Sequence, residues 1–153
     1  MELRKTFRFE ASHILPRHKG KCSRLHGHSW VLHVFVEGHI NEETGFVKDY
    51  AEISEVVKPL IEDLDHHHLG AWDQQGVENL EWVNYMPVNP AWKVRGLPIE
   101  FYPSSENLLV WIGGKLKEAG LDWAKIAIEE TCTSYAELRR YEFEGYGKAS
   151  GNI

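Results

Sequence analysis

The chain has 153 residues, 42% of them hydrophobic and 26% charged, with a formal net charge of −6, which suits one domain with a sizeable core. The acidic balance argues against a general nucleic-acid or anionic-membrane binder, and no apolar run approaches the roughly 20 residues of a membrane span. The opening MELRKTFRFEASH has no signal-peptide core, and two cysteines, Cys22 and Cys132, make no disulfide framework, so the expected setting is cytoplasmic.

Phe7, Phe9, Ala11 and His13 alternate with Arg8, Glu10 and Ser12, a period of two that predicts a half-buried strand. ILPRHKGKCSRL, with Pro16 and Gly20, reads as a loop, and His26 to about Gly38 as a second strand that NEETG turns out of. In DYAEISEVVKPLIEDLD, Ile53, Val56, Val57, Leu60, Ile61 and Leu64 share one helical face. Asp49 should cap this helix with Glu52 completing a capping box, and Pro59 should kink it.

A second helix is expected after Pro103, capped by Ser104, with Leu108, Leu109, Ile112 and Leu116 inward and Gly120 at its end. Gly113 and Gly114 should weaken it by about 1 kcal/mol each. AKIAIEETCT and SYAELRRYEFE read as two final strands, and GYGKASGNI as a loose tail. The expected architecture is a single α+β domain over residues 1–153, in the order β-β-α-α-β-β. Residues 70–102, with Pro87, Pro90 and Pro98 among many aromatic rings, fit neither period. So long a loop is often functional.

His26-Gly27-His28 lies in the second strand, where residues i and i+2 project from one face about 7 Å apart. That separation suits two ligands on one metal, and Gly27 permits a close approach to the backbone. If the first two strands pair, His13 joins them, and three histidines with a fourth position open suit a catalytic zinc site. The alternative is two surface histidines and a hydrogen-bonded core histidine.

Cys22 sits four residues before His26, within a segment whose Arg17, Lys19, Lys21 and Arg24 meet no acid. Nearby cations favour a thiolate, which can act as base or nucleophile, and the loop suits a polyphosphate. A solvated loop with a bystander cysteine is the competing reading. In Asp65-His66-His67-His68, a histidine beside a carboxylate can carry protons. His67 and His68 read as structural or exposed. Glu129 and Glu130 should face opposite sides of their strand. Glu130 shares the face of Ile126 and Ile128, where a carboxylate needs a partner: a ligand's N–H groups, or Arg139 or Arg140.

Together, F-x-F-x-A-S-H, C-x-x-x-H-G-H, T-G-x-V-x-D-Y, L-D-H-H, P-S-S-E-N-L and E-E-T resemble the 6-pyruvoyltetrahydropterin synthase family, over about residues 3–69 and 103–141. The three residues between Cys22 and His26 resemble its 6-carboxytetrahydropterin synthase branch. The resemblance implies the tunnelling fold, a four-stranded antiparallel sheet with two helices on one face, closing into barrels within a homo-hexamer of two trimers. It implies Zn2+ on His13, His26 and His28, Cys22 as proton-abstracting base, Asp65 and His66 as relay, and Glu130 as pterin anchor. The implied reaction converts 7,8-dihydroneopterin triphosphate to 6-carboxy-5,6,7,8-tetrahydropterin, acetaldehyde and triphosphate in queuosine and other 7-deazapurine synthesis. Arg17, Lys19, Lys21 and Arg24 are then candidate triphosphate contacts.

Two features depart from the family pattern: His68 stands where a bulky residue is common, and some thirty residues follow Gly70. Three other readings stand beside the first. They are pyruvoyl formation without side-chain cleavage, a non-catalytic zinc-binding family member, and an unrelated zinc hydrolase, which would leave Cys22 without a role.

Overall fold

Two long alternating segments pair first. In the computed structural model, which describes residues 1–70 and 102–149, β1 (Glu2–His13) and β2 (His26–Glu37) form an antiparallel hairpin. Its register runs from Glu2 opposite Glu37 to His13 opposite His26. Phe7, Phe9, Ala11 and His13 are buried, as are Trp30, Leu32 and Val34 across from them. β4 (Lys125–Thr131) pairs antiparallel with β2, and β5 (Ser134–Arg139) with β4.

α1 (Tyr50–Leu64) packs on β1, and α2 (Ser105–Glu118) on β4 and β5. Their apolar stripes meet the sheet in one core containing Ile53, Val57, Leu64, Leu108, Ile112 and Leu116. Full burial of one such side chain contributes about 1.5–3 kcal/mol. Among the described residues the opposite sheet face carries no helix of this core and presents residues such as Thr6, Arg8 and Glu10 to solvent.

The α+β class matches the expectation, with two additions. A short β3 (His67–Leu69) joins the edge of β1 in parallel, giving a five-stranded sheet of order β3-β1-β2-β4-β5. The expected last strand stops at Arg139, and RRYEFE instead enters a third helix, α3 (Arg140–Ala149), which also takes up the start of the expected tail. Two contacts favour this helix over a longer strand. The Arg139 N–H donates to Glu142 Oε2 at 2.8 Å, and Phe143 packs edge-on against Trp123 with ring centroids 5.5 Å apart. The helical turn lets Phe143 cover Trp123, which continuing the strand at the sheet's edge would not do.

Asp49 caps α1 by accepting the Ala51 N–H at 2.7 Å. The capping box does not form, because Glu52 pairs with Lys48 instead. Helix α1 continues through Pro59 to Leu64. Ser104 caps α2, and Gly120, at φ +81°, ends it in the left-handed region. Gly113 is a packing requirement: a Cβ there would lie 2.9 Å from Trp123 Cζ2, and its carbonyl accepts the Trp123 Nε1–H at 3.1 Å. Of the 70–102 segment, the interior lies outside the described residues.

Candidate functional site

Strand pairing brings the three histidines together. His13 and His26 are direct partners across the hairpin, and His28 stands two residues further along the same face. Each ring is oriented by the backbone. His13 Nδ1 donates to the Pro103 carbonyl at 2.8 Å and His26 Nδ1 to the Arg24 carbonyl at 2.7 Å. A carbonyl only accepts, so both Nδ1 atoms carry the proton and both Nε2 atoms hold lone pairs. Those two Nε2 atoms lie 3.1 Å apart. Two lone pairs at that distance repel unless a cation sits between them.

His28 Nε2 completes the cluster, with its ring centroid 5.1 Å from that of His13 and 5.0 Å from that of His26. Among the described residues this buried atom has no aligned hydrogen-bond partner, although Glu130 Oε1 lies 3.2 Å away. An acceptor off the N–H axis satisfies little even at that distance. Ligand atoms of His13, His26, His28 and Glu130 all fall within 4.8 Å of one another. Converging lone pairs plus an orphaned buried nitrogen fit a divalent cation of borderline character such as zinc. Burial holds His13 neutral, its pKa lowered to about 4, and burial lowers that of His28 as well. Neutral imidazole is the ligating form.

Glu130 reaches this cluster because β4 places it on the face of Ile126 and Ile128, away from Glu129, as alternation requires. Its other oxygen accepts the Ser105 hydroxyl at 2.7 Å from the first turn of α2, where the helix dipole favours an anion. The alternative pairing with Arg139 or Arg140 does not form. Arg139 meets Glu137, and Arg140 meets Asp122 and Glu144.

Asp65 and His66 form a second unit. His66 Nδ1 bonds Asp65 Oδ2 at 2.8 Å, and Asp65 Oδ1 accepts the Glu10 N–H at 2.7 Å. That backbone bond, with His66 as a further donor, holds the Asp65 carboxyl below its usual pKa. His66 adopts φ 58° and donates its own N–H to the Glu10 carbonyl at 2.6 Å, so β1 fixes the pair from both sides. A non-glycine left-handed residue costs on the order of 1–3 kcal/mol and marks a constrained site. A cleft of about 340 Å³ borders it, lined by Glu10, Ser12, His28, Ser29, His66 and His67. His67 bonds the Asp65 carbonyl, and the buried His68 meets Ser12 Oγ at 3.0 Å, so both have structural contacts.

Cys22 lies half-exposed in a 3-10 turn at Lys21–Ser23, apart from the Asp65–His66 pair in sequence and in bonding. Its carbonyl accepts the Leu15 N–H at 2.9 Å, which ties the loop's end to the strand carrying His13. Arg17, Lys19, Lys21 and Arg24 are all exposed, and the Arg17 guanidinium stands 5.4 Å from the Tyr102 ring centroid. Ser105, Pro103 and Glu10 were not singled out by sequence reasoning for these contacts. The one signal was Ser105's place in P-S-S-E, beside the capping serine. Among the described residues no helix is long and apolar enough to cross a membrane.

The sequence pattern of the family described as 6-pyruvoyl tetrahydropterin synthase matches residues 2–141. A 6-carboxy-5,6,7,8-tetrahydropterin synthase from Synechocystis is 36% identical over 138 residues, covering 86% of this chain and 88% of that protein. One from Aquifex aeolicus is 32% identical over 161 residues, covering 90% and 97%. The 6-pyruvoyl tetrahydropterin synthase structure from Caenorhabditis elegans superposes with a TM-score of 0.65 at 21% identity, covering 91% of this chain and 94% of that one. That likeness shows the tunnelling fold.

Proposed function

The chain belongs to the 6-pyruvoyl tetrahydropterin synthase family, and we propose that within it the chain forms 6-carboxy-5,6,7,8-tetrahydropterin from 7,8-dihydroneopterin triphosphate. Acetaldehyde and triphosphate are the other products, and the pterin feeds 7-deazapurine synthesis such as that of queuosine. The relatives from Synechocystis and Aquifex aeolicus, with most of both chains aligned, support this lyase reading. The observation that carries it is the 3.1 Å approach of the His13 and His26 Nε2 atoms beside Glu130 and the orphaned His28 nitrogen.

His13, His26 and His28 would hold zinc, which when bound supplies Lewis acidity toward side-chain hydroxyls. The chain's own groups do the rest. Cys22 removes a proton from the substrate side chain, and the charge of Arg17, Lys19, Lys21 and Arg24 on the same loop suits the triphosphate. Asp65 orients His66, so that the imidazole carries protons to and from the reacting carbons. Glu130, steadied by Ser105, accepts the pterin's amide-like N–H groups. After triphosphate is eliminated, one water adds to the side-chain carbonyl beside the ring, and retro-aldol-type cleavage of the next C–C bond releases the terminal two carbons as acetaldehyde and leaves the carboxylate. A cytoplasmic homo-hexamer of two trimers, with sites shared between subunits, is part of the proposal.

The test is anaerobic incubation of zinc-loaded protein with 7,8-dihydroneopterin triphosphate, with products read by mass spectrometry. Carboxytetrahydropterin with acetaldehyde supports the reading. Pyruvoyltetrahydropterin assigns the chain to the sister reaction, and absence of turnover favours a non-catalytic zinc protein.

A further inference from the structure

The sheet face opposite the histidine cluster carries a second arrangement of reactive groups. Thr6 and His33 are direct cross-strand partners, and Glu129 follows on the neighbouring strand β4. Thr6 Oγ1 lies 2.9 Å from His33 Nδ1, and His33 Nε2 lies 2.8 Å from Glu129 Oε1. A carboxylate only accepts, so Nε2 carries the imidazole proton. Nδ1 then keeps its lone pair, and the Thr6 hydroxyl donates to it. A hydroxyl against a base, with that base held in one tautomer by a carboxylate, is the arrangement of an activated nucleophile.

The surroundings suit that chemistry. His33 is largely buried at 15% side-chain exposure, while Thr6 is open to solvent. Arg4 and Arg8, also exposed, stand two residues to either side of Thr6 on the same face, about 7 Å away along the strand. Their charge attracts an anionic substrate. None of these residues has a part in the pterin chemistry.

We propose that Thr6, His33 and Glu129 form a second reactive site, which takes the acyl group of small, negatively charged activated esters. Thr6 Oγ bonds to the acyl carbon as its proton passes to His33 Nδ1. The ester C–O bond breaks, and the leaving alcohol takes that proton. Water then attacks the acyl-threonine with His33 again as base, releasing the acid and restoring the hydroxyl.

The experiment uses the intact protein with mono-p-nitrophenyl succinate, and with neutral p-nitrophenyl acetate for comparison. Nitrophenolate release and peptide mass spectrometry are read together. The expected result is succinylation at Thr6, with release falling about 100-fold in Thr6→Val and in His33→Gln, and less in Glu129→Gln. Arg8→Gln should remove the preference for the anionic ester. Unchanged circular dichroism and metal content would show that the fold survives these substitutions. A label confined to lysines, or equal release in wild type and His33→Gln, overturns the proposal.

Discussion

His13 and His26 face each other across the β1–β2 hairpin with their Nε2 atoms 3.1 Å apart and both Nδ1 protons engaged by carbonyls. The chain spends backbone acceptors at Pro103 and Arg24 to aim two lone pairs at one point. Carbonyls that orient ligating imidazoles typically hold 10–100-fold of metal affinity.

His28→Ala should therefore lose most of its zinc, measured by elemental analysis after dialysis, with the sheet intact by circular dichroism. Chelation of wild-type protein should lower the melting temperature as well. A site loaded at a thousand times its dissociation constant contributes about 4 kcal/mol of apparent stability. Full metal retention in His28→Ala would remove His28 from the ligand set.

Cys22→Ala should keep its metal and lose turnover by about 10²–10⁴-fold, the usual span for a positioned acid or base. An active variant would show that the proton goes elsewhere.

Glu130 stands between two roles, pterin acceptor and fourth metal ligand, because its Oε1 lies 3.2 Å from His28 and its Oε2 takes the Ser105 hydroxyl. Glu130→Gln should weaken pterin binding at least about 10-fold, the loss of a charge-assisted hydrogen bond of 1.5–3 kcal/mol, with zinc content unchanged. Loss of zinc with pterin binding retained would assign it to the metal.

Acid should destabilise the metal-free protein. Burial lowers His13 and His68 from 6.5 to about 4, so between those values the unfolded chain binds more protons than the folded one. Stability falls as pH drops through that window and is level above it, by up to about 3 kcal/mol for either residue alone. Their charges oppose each other, so the two contributions do not add. Urea unfolding of chelated protein across the window should show this slope, and His68→Gln should flatten it.

Adjacent glycines should respond oppositely to alanine. In Gly113→Ala the new methyl meets Trp123 at 2.9 Å, and overpacking of about 1–3 kcal/mol outweighs the gain of about 1 in helix propensity. In Gly114→Ala the nearest atom is Phe143 Cζ at 4.0 Å, so the helix gains about 0.5–1 kcal/mol. Thermal melts of both variants decide this.

Much of this was legible in the sequence because strand periodicity is local. Alternation from Phe7 to His13 and again from His26 fixed which side chains share a face, and pairing then made His13, His26 and His28 neighbours. The opposition of Glu129 and Glu130 followed from the same rule. What was not legible depends on partners distant in sequence. Pro103 orients His13 from ninety residues away, and β3 exists because His67–Leu69 find the edge of β1. The first half of the helix at Arg140–Ala149 reads as strand because Tyr141 and Phe143 alternate with Glu142 and Glu144, and its second half as tail, whereas Trp123 decides how Phe143 packs. Glu130's approach to the histidines needed both the sheet order and the start of α2.

The Leu15–Cys22 backbone bond divides the segment between the first two strands into a stem and a tip. The stem holds the thiol's main chain to the strand that bears His13. The tip, Arg17 to Gly20, is exposed, with the Arg17 guanidinium near the Tyr102 ring as its contact outside the loop among the described residues. Residues there can be exchanged, or the tip lengthened, without shifting the cysteine. The charge of the loop can therefore diverge among related chains while the position of the cysteine stays fixed.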